Sequence, residues 1–292
     1  IRINEDGIWN SSSRGLTEYG SLAYISSEIK GFKSQNHNDS ISFKKAKKLL
    51  ENYKQGSLTV EQVFDIDHLA KYIAIVDLCK AHHALRWQNI RCYIDDKSKK
   101  LRIIGFDGYG PEGPMGINKP FLGYHISGLC DPYTKGEDCF LDAFYQSNEF
   151  VAKYNFYLNK FSSKAYIDKL INRLSKDISD IERTIRSSYK DYAYSYNFLF
   201  NNANDIMKYL IPMKEVTIKA YRGKKGIKVM SYGPTFIKLL ADKNGWNNDR
   251  VLKSYVKGRP ADTILVPMTN SKEIFYSVLG IDSIYSEKIL KQ

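Results

Sequence analysis

Two side chains that carry oxygen ligands, Asn89 and Asp107, lie at the ends of a segment whose pattern predicts a β-hairpin. The apolar residues before and after a polar turn (Asp95 to Lys100) alternate or cluster as strands do: Ile90, Cys92, Ile94 and the run Leu101 to Phe106. If the turn centres on Ser98, Asn89 pairs with Asp107 at the open end, where Gly105 leaves their face uncrowded. A carboxylate beside an amide oxygen is a site that Mg²⁺ accepts when it also holds substrate phosphates.

The same register predicts which face of the hairpin is buried. It pairs Arg91 with Gly105 and Tyr93 with Ile103. The opposite face then collects the apolar side chains Ile90, Cys92, Ile94, Ile104 and Phe106. A slip by one residue would expose this set to water, so we expect the pattern to maintain the register.

Helical patterns surround the hairpin. Asp65 or Asp67 can cap a buried helix that continues to about Cys79, and Thr59 with Gln62 forms a capping box just before it. Upstream, Ser34 to Ser40 is expected to be a loop and Ser42 to cap a helix that stops at Gly56. Downstream, Pro111 to Lys135 is expected to be an irregular, substrate-facing loop.

The second half of the chain changes character near residue 212. Residues 139 to 210 have a helical pattern, including a helix after Ser163 with one long apolar stripe. The stripe consists of Ile167, Leu170, Ile171, Leu174, Ile178, Ile181 and Ile185. Short β-like runs broken by Gly, Pro and Asn follow. We therefore predict an α+β protein with a mainly helical domain over residues 1–212 and a β-rich appendage over residues 213–292.

Composition excludes some classes of protein. The 292 residues carry a net charge of +12, which favours binding to acidic partners and to nucleotide phosphates. One alternative function is therefore a polyanion-binding module. Nucleic acid is the less favoured partner. No stretch approaches the roughly 20 apolar residues of a membrane span.

Cys130 and Cys139 could pair if the protein is exported. The chain begins at Ile1 without a signal-peptide pattern, so its natural N-terminus is expected to lie upstream.

Three blocks resemble the CotH family of atypical protein kinases, named for a bacterial spore-coat protein. They are FDIDHLAKY (Phe64 to Tyr72), WQNIRCY (Trp87 to Tyr93) and IIGFDGYG (Ile103 to Gly110). The resemblance implies a kinase-like fold in which this chain supplies mostly the C-terminal lobe, with Ile1 to Trp9 as the last strand of a nucleotide lobe that is otherwise absent. It also implies a bacterial protein, with an extracytoplasmic or cell-surface location left open.

The resemblance assigns roles to individual residues. Asn89 corresponds to the metal ligand of the catalytic loop, and Asp107 to the metal-binding Asp of a DFG-type motif. Both would bind ATP phosphates through Mg²⁺ or Mn²⁺, and the implied reaction transfers the γ-phosphoryl group to a hydroxyl of a protein substrate.

The chain departs from the family at the catalytic acid. In H-R-D-x-x-x-x-N the Asp position falls on Ala84, and AHHALRWQ contains no carboxylate. Either His82 or His83 could act as the base. His83 is favoured over His82 because it lies closer to Asn89 in the sequence. The alternatives are that both histidines pack at the end of the helix, and that the protein is a catalytically inactive pseudokinase or binding scaffold.

Overall fold

The computed structural model describes residues 1–4, 27–31, 37–85, 87–108, 139–211, 217–233, 235–240, 250–253, 261–267 and 270–291. Helices and two sheets confirm the predicted α+β class. The helices are α1 (His37–Lys54), α2 (Val60–Val63), α3 (Ile66–Leu78), α4 (Cys139–Asp142), α5 (Asn148–Phe161), α6 (Lys164–Arg186) and α7 (Asn197–Leu210). The predicted loop Pro111 to Lys135 and Cys130 lie outside the described residues.

Helix α3 is the central element of the helical part. Its N-cap is Asp65, whose side chain accepts a hydrogen bond from His68 N at 3.1 Å. Apolar residues lie on most of its surface because it packs against the hairpin near its start and against α5 along its length. The predicted capping box before it is present, with Gln62 Oε1 accepting from Thr59 N at 2.8 Å.

Helix α1 begins earlier than the sequence predicted. It starts at His37, so the expected loop through Ser40 and the expected N-cap at Ser42 are wrong. Polar residues such as Asp39 and Ser40 are accepted in the first turn of a helix, where backbone N–H groups lack partners, so their presence did not mark a loop. The predicted end is confirmed, since Gly56 follows with a φ of 69°.

The first sheet contains four strands in the order β2 (Ile29–Lys30), β1 (Arg2–Ile3), β3 (Arg91–Ile94) and β4 (Leu101–Ile104). β3 and β4 form the predicted hairpin, but its register differs by one residue. Cys92 pairs with Ile103 and Ile94 with Leu101, so the predicted pairing of Tyr93 with Ile103 is wrong. Leu101 and Ile103 are consequently buried, whereas Ile104 and Phe106, which were predicted to be core residues, are exposed.

The turn and helix α3 together set this register. The Asp95 carboxylate accepts hydrogen bonds from the Ser98 N–H and hydroxyl, and Lys99 takes a left-handed φ of 55°. On the other side, His68 Nε2 contacts the Ile103 carbonyl oxygen at 2.8 Å. The run from Leu101 to Phe106 offers an apolar pair in either register, so hydrophobicity alone could not select between them.

An ion pair also ties β4 to the start of α3. Arg102 Nε donates to Asp65 Oδ2 at 2.9 Å. Desolvation alone would raise the pKa of Asp65, but the hydrogen bond from the His68 N–H and the Arg102 guanidinium lower it below its usual value. The carboxylate therefore both caps the helix and holds the hairpin.

The C-terminal strands form the second sheet. They are β5 (Ile218–Gly223), β6 (Gly226–Ser231), β7 (Ile237–Leu240), β8 (Arg250–Leu252), β9 (Thr263–Val266), β10 (Glu273–Val278) and β11 (Ile284–Lys291), in the order β8-β7-β10-β11-β5-β6-β9. The β11–β5 pair is parallel and the others are antiparallel. The sheet curls around its own apolar core until its two edges approach, and Arg250 of β8 donates to the Leu265 carbonyl of β9.

The strand-rich part contacts helix α5 through a tight turn. The buried amide of Asn155 donates to the Leu279 carbonyl at 2.8 Å. The next residue, Gly280, has a φ of 88°, and a Cβ there would lie 2.0 Å from the Ala152 carbonyl oxygen. A glycine is therefore required where the turn meets the helix. The predicted domain boundary at residue 212 lies outside the described residues.

We expect Gly280→Ala to destabilise the protein by about 2–4 kcal/mol, because the added methyl must displace the backbone of α5 in addition to adopting a left-handed φ. Gly56→Ala is the matched control. Its φ is also positive, but no atom lies within 4 Å of the added Cβ, so the cost should be about 1 kcal/mol. Urea unfolding followed by circular dichroism measures both; equal losses would show that the Gly280 contact is not tight.

Candidate functional site

The structure brings together three of the four residues singled out by sequence. Asp107 Oδ2 accepts hydrogen bonds from His83 Nε2 at 3.0 Å and from Asn89 Nδ2 at 3.3 Å. Asn89 Nδ2 also donates to the His83 carbonyl at 2.9 Å. Asn89 and Asp107 lie close together as predicted, but the predicted cross-strand pair between them is wrong, because the observed ladder, with Arg91 opposite Ile104, is shifted by one residue. The roles of Asn89 and Asp107, and that of His83, stay predictions.

The backbone of Asp107 is itself unusual. It has a φ of 51°, a left-handed conformation that Asp tolerates better than most residues but that still costs energy. Gly108 follows, and a Cβ there would lie 3.3 Å from the Ala84 Cβ and 3.5 Å from the Ala81 Cβ. The segment after β4 thus turns sharply and lies against the loop that carries His83. Strain of this kind is often found at functional sites.

Phe106 and Arg91 brace the approach to Asp107. The Arg91 guanidinium lies 4.2 Å from the centroid of the Phe106 ring, in a cation–π contact. Arg91 is buried, whereas the Phe106 ring is half exposed. The ring therefore covers a buried positive charge one residue before the Asp107 carboxylate, which adds positive potential to this edge of the site.

His82 faces away from this cluster. Its side chain is 4% exposed, and Nε2 donates to Asp77 Oδ1 at 2.8 Å. The second carboxylate oxygen, Asp77 Oδ2, accepts from the Tyr154 hydroxyl. Burial, and next the nearby Asp77 carboxylate, raises the pKa of the Tyr154 hydroxyl well above its usual value, so this hydroxyl remains a donor.

This buried network positions the loop that contains His83 and Asn89. Asp77 lies in α3, His82 begins the turn that follows, and Tyr154 lies in α5. Neither Asp77 nor Tyr154 is among the candidate site residues that the sequence predicts. The signal that could have found the network is a carboxylate inside an apolar helix, because such a group needs partners once buried.

Ala84 occupies the position that the kinase pattern gives to the catalytic Asp. Its side chain is buried, and its methyl group faces Gly108. The Tyr72 hydroxyl contacts its carbonyl oxygen at 3.5 Å. No carboxylate can reach the Asn89–Asp107 cluster from residue 84, and His83 is the titratable side chain that contacts Asp107 in the part of the chain described.

The cluster contains carboxylate and amide oxygen atoms, which are the kinds of ligand that a divalent cation such as Mg²⁺ binds. Asp107 is 42% exposed at its side chain, and both hydrogen bonds to it use one oxygen, Oδ2. Asn89 donates its hydrogen bonds to the His83 carbonyl and to Asp107 through Nδ2, so its amide oxygen takes part in neither of these two bonds. Within the described ranges, no group of three or more His, Cys, Asp or Glu side chains is placed to hold a metal. Of the side chains in this cluster, the Asp107 carboxylate and the Asn89 amide oxygen are the ones that could ligate a divalent cation.

Comparisons with protein-family models, with curated proteins and with solved structures give no match for this chain. Among the helices that the structure describes, none is long and apolar enough to cross a membrane.

We expect Tyr154→Phe to lower the free energy of unfolding by about 1.5–3 kcal/mol, because a buried carboxylate loses one of its two donors. Tyr157→Phe is the matched control on the same helix. Its hydroxyl donates to the more exposed Asp67 at 2.5 Å, so removing it should cost about 0–1 kcal/mol. Chemical denaturation of the two variants tests the difference. A Tyr154→Phe protein as stable as the wild type would mean that water replaces the hydroxyl at Asp77.

Proposed function

We propose that the cluster of His83, Asn89 and Asp107 is the metal–nucleotide site of an ATP-dependent phosphotransferase that acts on a protein hydroxyl. The observation that carries the proposal is the shared contact of Asn89 and Asp107, one amide and one carboxylate, at an accessible edge of the hairpin. A site built this way suits phosphoryl transfer because that reaction depends mainly on positioning and on neutralising charge.

In this proposal the ligands come from Asp107 and the amide oxygen of Asn89. Mg²⁺ or Mn²⁺ held by these two side chains would supply positive charge against the phosphate oxygens of ATP. The left-handed backbone of Asp107 and the bond from Asn89 to the His83 carbonyl keep the two side chains together before the nucleotide binds. Such preorganisation lowers the cost of assembling the site.

His83 is the proposed base. When its Nε2 donates to Asp107, the neutral imidazole carries its lone pair on Nδ1, and Nδ1 is then the atom that accepts the proton of the acceptor hydroxyl. This arrangement replaces the missing Asp with a base held by the metal-binding carboxylate. His82 is a less suitable base, because its side chain is buried against Asp77.

A binding scaffold that holds nucleotide without transferring phosphate is the second candidate. The buried methyl of Ala84, at the position of the catalytic acid, favours it. Both candidate functions use the same metal–nucleotide site. They differ in whether the phosphoryl group is then transferred to an acceptor.

Asp107→Ala should reduce Mg²⁺-dependent ATP binding below detection in calorimetry, because it removes the one carboxylate of the proposed site. Asp96→Ala is the matched control, since Asp96 lies exposed in the turn at the far end of the same hairpin. It should bind ATP as the wild type does. Equal ATP affinity in wild type and Asp107→Ala, with both proteins folded by circular dichroism, would refute the assignment.

His83→Ala should lower the rate of phosphate incorporation into basic, Ser-rich peptides by about 10²–10⁴-fold with little change in ATP affinity. His82→Ala should instead act through stability, because it leaves Asp77 without one partner. The assay uses radiolabelled ATP with Mg²⁺ or Mn²⁺. An unchanged rate in His83→Ala removes the proposed base, and nucleotide binding without any incorporation by the wild type selects the scaffold.

A further inference from the structure

Helix α6 carries an apolar seam with the period of a coiled coil. Six apolar residues recur along it at alternating intervals of four and three positions: Ile167, Ile171, Leu174, Ile178, Ile181 and Ile185. This 3.5-residue period corresponds to the a and d positions of a heptad, with the a positions at 171, 178 and 185. These six residues belong to the apolar stripe that the sequence predicts for this helix.

The tertiary structure leaves much of this seam uncovered. Ile167 is buried and Ile171 packs against the core, but Leu174 is 37% and Ile181 is 59% exposed. The chain that returns after the helix holds one flank, where Tyr194 N donates to Glu182 Oε1 at 2.6 Å. The d positions Leu174 and Ile181, toward the other flank, face solvent. A contiguous apolar stripe of this kind on a helix favours contact with another helix.

The residues beside the seam determine which helix fits. The e positions are Asp168, Ser175 and Glu182, and the g positions are Leu170, Asp177 and Thr184. All six are acidic or uncharged, although the whole chain has a net charge of +12. Five basic residues of the helix lie at the outer b, c and f positions: Lys169, Arg173, Lys176, Arg183 and Arg186. The sixth, Lys164, lies at the a position in the first turn, where it pairs with Asp168. The apolar seam therefore has an acidic border, although the protein as a whole is basic.

A second copy of the chain is a poor match for this border. A parallel pair would set Asp177 of one copy against Glu182 of the other. An antiparallel pair would set Asp177 against its own counterpart, and Asp168 near Glu182. Both arrangements oppose like charges, which disfavours self-association.

We propose that the exposed seam of α6 binds an amphipathic helix of another protein whose own apolar seam is bordered by lysine and arginine. The apolar side chains of that helix would cover Leu174 and Ile181, and its basic side chains would face Asp177 and the other carboxylates of the border. This inference does not depend on the proposed phosphotransferase activity.

The test uses two synthetic helical peptides of about four heptads with the same Ile and Leu seam, one with Lys and one with Glu at every e and g position. Each labelled peptide is titrated with the full chain, and binding is followed by fluorescence anisotropy. The Lys peptide should bind about ten-fold more tightly, because its lysines would face the acidic border whereas the glutamates of the other peptide would oppose it. Asp177 should contribute most, since Asp168 already pairs with Lys164 and Glu182 already accepts from the Tyr194 N–H. The affinity of the Lys peptide should fall as salt is added.

Variants of the chain locate the binding surface. The double variant Leu174→Gln and Ile181→Gln should lose the Lys peptide, whereas Ile284→Gln, at a more exposed position on β11, should keep it. Asp177→Lys should reverse the preference toward the Glu peptide. Circular dichroism confirms that each variant is folded.

Three results would overturn the proposal. The first is equal affinity for the two peptides, or binding of neither. The second is binding that survives the double variant. The third is concentration-dependent self-association of the wild type, seen by sedimentation velocity and lost in the double variant, which would make a second copy the occupant of the seam.

Discussion

The buried carboxylate of Asp77 is the constraint on which the site depends. It lies in the apolar helix α3 with no exposure to solvent, and it accepts hydrogen bonds from His82 and Tyr154. Removing one partner of a buried charge costs several kcal/mol, so the three groups stay together. They join the central helix, the loop that carries His83 and Asn89, and helix α5. The position of the candidate site is therefore tied to the packing of the core.

The opposite wall of the site depends on the hairpin. Arg102 and the Ile103 carbonyl attach β4 to the start of α3, and the chain then turns through the left-handed Asp107 onto the loop after α3. Helix α3 thus holds both sides of the site. Asp77, near its C-terminal end, holds the loop that carries His83 and Asn89, and Asp65, at its N-terminal end, holds the hairpin. Because the helix is rigid and anchored at both ends, it keeps the Asn89 amide and the Asp107 carboxylate in contact.

The amino-acid sequence determined the local features of this protein. Caps and breakers such as Asp65, Gln62 and Gly56 act on residues a few positions away, so their effects could be predicted from the chain alone. The α+β class, the hairpin and the strands after residue 217 follow from hydrophobic periodicity in the same way. The convergence of Asn89 and Asp107 also followed, because both lie just beyond the ends of one hairpin.

Only the tertiary structure decided features that depend on distant partners. The hairpin register was undetermined by sequence because the run from Leu101 to Phe106 offers an apolar pair in either alternation, and contacts with α3 and the turn selected one. The same holds for His82 and His83, adjacent residues of one type that face a buried carboxylate and a surface one. The stripe of α6 has the pattern of a core helix, yet its C-terminal half extends past the core. Periodicity shows that a face is apolar, whereas the neighbours that the fold provides decide whether that face is covered.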